Sequence, residues 1–104
     1  MKATKFQQDV WKLISKIPKG KVTTYKELAR ALNTKAYRAV GSAVGKNPYA
    51  PIVPCHRVIN SSGLIGNYSA DGGVKKKIEL LQSEGVKIKD NKIDLKKYIY
   101  YFDL

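Results

Sequence analysis

The chain contains one cysteine and one histidine, and the two are adjacent in the run Pro54-Cys55-His56-Arg57-Val58. The thiolate is the nucleophilic form of cysteine, and a free thiol with a pKa near ~8.5 is only a few per cent ionised at pH 7. An imidazole acting as base would supply what the thiol lacks. Adjacent side chains on a strand point to opposite faces, so contact between Cys55 and His56 needs a turn or a bridging water. The imidazole needs a carboxylate in its turn, to orient it and stabilise its charge. Eight acidic residues are available, and spacing does not choose among them. The alternative for a lone cysteine is a buried structural thiol. One Cys and one His fall short of the four ligands of a structural zinc site, and no phosphate-cradling glycine motif is present. Neither metal nor cofactor is expected.

Twenty Lys and Arg stand against eight Asp and Glu, a net charge of +12. Such a charge says little about fold and much about partners: it is the footprint of a nucleic-acid binder, with a plain basic protein as the alternative. At 104 residues, 43% of them hydrophobic, the chain suits one core and a single domain, residues 1–104. A single cysteine makes no internal disulfide, which suits a reducing compartment. No apolar run approaches the ~20 residues of a membrane span, and the first fifteen residues do not resemble a signal peptide. The reading is an intracellular protein, with no membrane partner.

The elements that must position the Cys-His pair can be read from caps and periodicity. Thr4 with Gln7 forms a capping-box signature, followed by Phe6, Val10, Leu13, Ile14 and Ile17 at helical spacing up to Pro18-Lys19-Gly20. Thr24 with Glu27 opens a second, short helix through Leu28 to Leu32. Asn33-Thr34 breaks it, and Thr34 is expected to cap a third helix running to about Val44. That helix should bury Ala36, Ala39, Val40, Ala43 and Val44, leaving Arg38, Gly41, Ser42 and Gly45 on its other face. Two short helices and a tight break fit a helix-turn-helix. An ordinary helical hairpin fits the pattern as well, and the net charge tips the balance toward DNA.

Beyond Asn47-Pro48 the segment to Pro51 is expected to enter the Cys55 motif in extended form. Val58-Ile59 and Leu64-Ile65 around Asn60-Ser61-Ser62-Gly63 read as a small hairpin. From Val74 to Ser83 a helix should present Val74, Ile78 and Leu81 on one face, with Gly85 as its stop. Lys75-Lys76-Lys77 at its start and Glu84 at its end sit where the helix dipole disfavours their charges. In the tail, Asp90-Asn91 suggests a short hairpin, and Tyr98 to Phe102 a last helical turn against the core. The expected fold class is mainly α: a winged-helix-like helix-turn-helix domain with short β hairpins.

Taken together, the motifs resemble those of the alkylguanine-DNA alkyltransferases, the methylated-DNA–protein-cysteine methyltransferases. The resemblance rests on Phe6-Gln7-Gln8-Asp9-Val10-Trp11, Pro18 to Tyr25, Arg38 to Gly41, Asn47-Pro48, Pro54 to Val58, Ser61-Ser62-Gly63, Gly66 to Ser69 and Glu84-Gly85. It implies a single-turnover repair protein, a monomer needing no cofactor. Such a protein binds alkylated duplex DNA through the minor groove and rotates the damaged guanine out of the stack. It then transfers the alkyl group from oxygen-6 of guanine, or oxygen-4 of thymine, to a cysteine.

By this resemblance Cys55 is the acceptor, His56 takes its proton through water, and Glu84 orients His56. Tyr25 crowds a phosphate and donates to the guanine ring. Arg38 fills the vacated stack, with Ala36, Gly41, Ser42 and Gly45 facing the DNA. Val58, Tyr68, Ser69, Asn47 and Pro54 belong to the substrate pocket: Val58 through its carbonyl, Ser69 through its amide, and Asn47 as a hinge bracing the turn before the cysteine. Many members carry an N-terminal domain, and none is expected here. The length of the loop Ala70 to Gly73 leaves Lys75 and Lys77 both as candidates to face the site. Two other readings stand beside this one. A lesion-binding relative that recruits other repair factors often has tryptophan in place of the cysteine. A helix-turn-helix regulator would need base-reading side chains that Gly41, Ser42 and Gly45 do not supply.

Overall fold

The structure is a computed structural model that describes residues 3–103. Helix α1 is Lys5–Ile14, strand β1 Thr23–Thr24, α2 Tyr25–Ala31, α3 Tyr37–Gly45, β2 Val58–Ile59, α4 Gly73–Ser83 and α5 Leu95–Tyr98. A single 3₁₀ turn, Cys55–Arg57, precedes β2. The mainly helical class is as expected.

The helix starts follow their caps. Thr4 accepts from the Gln7 amide while the Gln7 side chain accepts from the Thr4 amide, the complete capping box. α1 buries Val10, Trp11 and Ile14, worth roughly 2 kcal/mol per large side chain, and Trp11 donates Nε1–H to the Ala43 carbonyl of α3 at 2.7 Å. Thr24 caps α2 by accepting from the Glu27 amide. Asn33, at φ 53°, then reverses the chain in the left-handed region that asparagine tolerates.

The expected start of α3 is corrected. Thr34 accepts from the Ala36 amide in a local turn, and the helix begins at Tyr37 with no side-chain cap. With the helix starting later, only Val40, Ala43 and Val44 are buried, while Ala36 and Ala39 are exposed.

Two apolar clusters meet at the cysteine motif. Cys55 and Val58 belong to the cluster under α1, α2 and α3; Ile59 belongs to a second, with Val22, Ile65, Leu81, Val86, Ile93 and Tyr98. The expected hairpin over 58–65 is absent as paired strands. The turn exists, with the Asn60 amide donating to the Leu64 carbonyl, but β2 pairs in parallel with β1. Ile65 instead donates its amide to the Asn91 carbonyl, and Ile93 donates to the Gly63 carbonyl. Strand partners distant in sequence win because they close both clusters.

Three further expectations change. The approach to Cys55 is a series of turns with a cis Ala50–Pro51 bond, and not an extended segment. On α4, Leu81 is buried, but Val74 is 40% exposed and the core position falls to Lys77. Residues Ile99 to Phe102 fold onto the core as extended chain beside Val22, which bonds the Tyr98 carbonyl and the Tyr100 amide. The turn at Asp90-Asn91 is present, both residues at positive φ between bridged Lys89 and Lys92. Among the described residues no helix is long and apolar enough to cross a membrane.

Candidate active site

The 3₁₀ turn fixes what a strand would have left apart. With about three residues per turn, neighbouring side chains diverge by about 120°. Cys55 therefore lines an open cavity of about 440 Å³, while His56, 2% exposed, turns into the protein behind it. Tyr25, Gly41, Gly45, Tyr68 and Ser69 line the same cavity, with Tyr37, Val44, Asn60, Gly66 and Asn67. The α2 N-terminus supplies Tyr25, α3 supplies the glycines, and the glycine-rich loop supplies Tyr68 and Ser69.

Behind Cys55 runs a chain of polar contacts. His56 Nε2 lies 2.9 Å from Oε2 of Glu84, the C-cap residue of α4. Arg57 donates Nε–H to Oε1 at 2.9 Å and Nη2–H to Oε2 at 2.7 Å, and its Nη1–H goes to the Ile17 carbonyl. Burial disfavours ionised Glu84, but the bonds from Arg57 and His56 outweigh it and hold the carboxyl below its usual range. Burial lowers the pKa of His56 below its usual 6.5, against the raising influence of Glu84.

The close His56–Glu84 contact is therefore a neutral imidazole donating Nε2–H to a carboxylate, not an ion pair. That tautomer leaves Nδ1 as a bare lone pair, buried and without a hydrogen bond to any protein group. A lone pair so placed is a base awaiting a proton.

The two tyrosines remain donors. Burial, and then the sulfur of Cys55, raise the pKa of Tyr25; burial, Cys55 and Asp71 do the same for Tyr68. The choice between Lys75 and Lys77 is resolved by burial, for Lys75 is exposed and Lys77 is fully buried. The Lys77 ammonium donates to the carbonyls of Val58 at 2.8 Å, Ile65 at 2.7 Å and Asn67 at 3.0 Å. Burial lowers its pKa to about 8, with Cys55 pulling the other way. One cation on α4 thus ties together β2 and the loop at Ile65 to Asn67.

Of the other expected residues, Asn47, Pro54, Val58, Ala36, Arg38 and Ser42 do not line the cavity. Asn47 spans its own turn, donating to the Val53 carbonyl at 2.7 Å and accepting from the Tyr49 amide. Pro54 is buried at the start of the 3₁₀ turn, and Val58 is 0% exposed with its carbonyl already bonded to Lys77. On α3, Ala36, Arg38, Ser42 and Gly45 are exposed, and Arg38 has no acidic partner among the described residues. A Cβ on Gly41 would meet nothing within 4 Å, whereas one on Gly45 would stand 3.1 Å from the Ser69 hydroxyl. Arg57 and Tyr37 are site residues that nothing in the sequence distinguishes, whereas Lys77 is one of the two lysines the sequence offers there, marked only by its place at the wrong end of a helix dipole.

Residues 5–86 match the family model of the 6-O-methylguanine DNA methyltransferase DNA binding domain. The methylated-DNA–protein-cysteine methyltransferase of Saccharolobus solfataricus is 53% identical over 88 residues, covering 85% of this chain and 56% of that protein. The Candida glabrata protein of the same name is 43% identical, covering 96% of this chain and 52% of its own length. The chain thus spans about half the length of the curated relatives it matches.

Mycobacterium tuberculosis OGT in complex with DNA superposes with a TM-score of 0.74 at 48% identity, covering 80% of this chain and 51% of that one. S. pombe Atl1, in complex with damaged DNA containing O6-carboxymethylguanine, gives 0.84 at 33% identity and covers 98% of this chain and all of its own.

Proposed function

We propose a function from one premise: the chain belongs to the 6-O-methylguanine DNA methyltransferase family. It repairs alkylated guanine in duplex DNA by a single, irreversible transfer of the alkyl group to Cys55. The observation that carries this reading is the cavity that ends on Cys55, with the bare Nδ1 of His56 buried behind it and Nε2 held by Glu84.

The exposed face of α3 lies against the minor groove, and Arg38, without an acidic partner among the described residues, enters the stack as the damaged base leaves it. Extruding the base costs a few kcal/mol, which the inserted side chain and phosphate contacts offset. In the cavity the thiol proton passes through a water to Nδ1 of His56. The sulfur then forms its bond to the alkyl carbon as the carbon–oxygen bond breaks. Tyr25 donates to the ring as negative charge develops, the proton taken by His56 returns through water to the ring nitrogen, and guanine leaves. The Ser69 amide and the Val58 and Cys55 carbonyls hold the base edge. The Val58 oxygen has a second lone pair for this beside its bond to Lys77. Nothing removes the alkyl group, so each chain reacts once.

Likeness to Atl1 along its whole length favours a second reading, lesion binding without transfer. Cys55 separates the two. The test is incubation with a duplex carrying one O6-methylguanine, followed by intact mass. One methyl per chain, lost in Cys55→Ala, supports transfer. Tight lesion binding with no added mass supports the second reading, and indifference to the lesion sinks both.

A further inference from the structure

A cavity of about 790 Å³, larger than the one at Cys55, lies between α2, the α2–α3 turn and the tail. Four cations line it, Lys26, Arg30, Lys35 and Lys96, against a single acid, Glu27. That acid is already spent: its carboxylate takes two bonds from Arg30 at 2.7 Å and one from the Phe102 amide at 2.9 Å. Among the described residues Lys26, Lys35 and Lys96 have no acidic partner, and all three are exposed. Two aromatic rings stand among these cations, Tyr37 at 51% and Tyr101 at 66% exposure.

The far wall of this groove is the tail, which lies beyond residues 5–86. It is held in place by bonds that leave its outer side chains free. Thr23 donates to the Tyr100 carbonyl, Val22 exchanges bonds with Tyr98 and Tyr100, and Arg30 donates to the Phe102 carbonyl at 2.9 Å. Tyr37 lines this groove and the Cys55 cavity alike. The two cavities thus share Tyr37 as a common wall.

We propose that this groove holds the sugar–phosphate backbone of the strand whose base enters the Cys55 cavity, with Lys96 and Tyr101 making the tail a second DNA-binding element. The proposal rests on the duplex-binding part of the function above. Unpaired lysines neutralise phosphates, and exposed tyrosines pack on sugars or on an unstacked base.

The test uses the full chain and a duplex with one O6-methylguanine, titrated over a range of NaCl concentrations. Lys96→Gln is expected to bind about three- to tenfold more weakly and to lower the log–log salt slope by about one. Tyr101→Ser is expected to weaken binding with the slope unchanged. Lys87→Gln, which removes a charge outside the groove, controls for general electrostatics. All three should melt with the wild type and should accept methyl from free O6-methylguanine at the wild-type rate. A slope in Lys96→Gln equal to that in Lys87→Gln overturns the proposal and leaves the groove to some other partner, such as an acidic peptide. A wild type that binds duplex but gains no methyl refutes transfer and leaves the groove proposal standing.

Discussion

Nε2 of His56 stands 2.9 Å from Oε2 of Glu84, across 28 residues of sequence, and Arg57 holds that same oxygen at 2.7 Å. Glu84 is thus fixed from two sides, and the imidazole cannot turn without breaking a buried bond. What the pair determines is a tautomer: with the proton on Nε2, the lone pair is on Nδ1, the atom to which the proposed mechanism assigns the thiol proton.

Glu84→Gln should slow methyl transfer from duplex by about a hundredfold while leaving lesion binding near wild type, because a general base correctly held contributes 10²–10⁴. Arg57→Met should give a smaller loss, since it loosens the carboxylate without removing it. Single-turnover transfer rates and equilibrium binding measure the two effects separately. A variant that loses binding and transfer together would show that Glu84 supports only the fold.

The pH dependence of transfer follows from the direction of the His56 shift. Its pKa lies below 6.5, so the neutral base persists through pH 7 and 6.5. The rate should fall only as pH drops further and Nδ1 takes a proton. Glu84 raises the His56 pKa, so in Glu84→Gln the fall should begin at still lower pH. An inflection above 6.5 would contradict the neutral imidazole. Stability carries a separate acid signature. Glu84 is held below the usual 4.5 of a glutamate, so its stabilising contribution is present above 4.5 and is lost as pH falls through the folded value.

Lys77 gives the clearest stability prediction. Lys77→Met removes the donor from three carbonyls in a site closed to water, at a cost of roughly 3 kcal/mol. Its pKa of about 8 lies below the usual 10.5 of a lysine. The penalty for burying the charge is therefore complete below pH 8 and is relieved as pH climbs to 10.5. Over that window wild type should gain stability relative to Lys77→Met, in urea melts compared pH by pH. A constant difference would mean that Lys77 does not titrate in the folded protein.

The caps and the helical stripes were legible in the sequence because they are local: Thr4 with Gln7, Thr24 with Glu27, Gly85 as a stop. So was the likeness carried by Pro54 to Val58. The pairing of β1 with β2 was not, because Thr23 and Val58 are joined by packing and no turn chemistry links them. Glu84 came from the resemblance alone, since eight acids offered no spacing rule. Lys77 was one of two lysines the sequence offered to the site, but its burial was not legible, because hydrophobic periodicity assigns a lysine to the surface. Only the three carbonyls facing it in the folded chain reverse that assignment.

Two glycines of α3 separate fold from function. Gly41 sits in the helix interior with open space around its Cα, so Gly41→Ala should stabilise the protein by about 1 kcal/mol through helix propensity. The added methyl projects from the face proposed to meet the minor groove, so duplex binding should weaken more than transfer from free O6-methylguanine slows. Gly45→Ala differs, because its methyl would press on the Ser69 hydroxyl at 3.1 Å and shift the loop that lines the Cys55 cavity. It should slow transfer from the free base as well as from duplex. Melting temperature, duplex affinity and free-base rate distinguish the pair. If Gly41→Ala stabilises the protein and binds duplex like wild type, α3 is not the DNA-facing helix, and the minor-groove contact must be sought elsewhere on the surface.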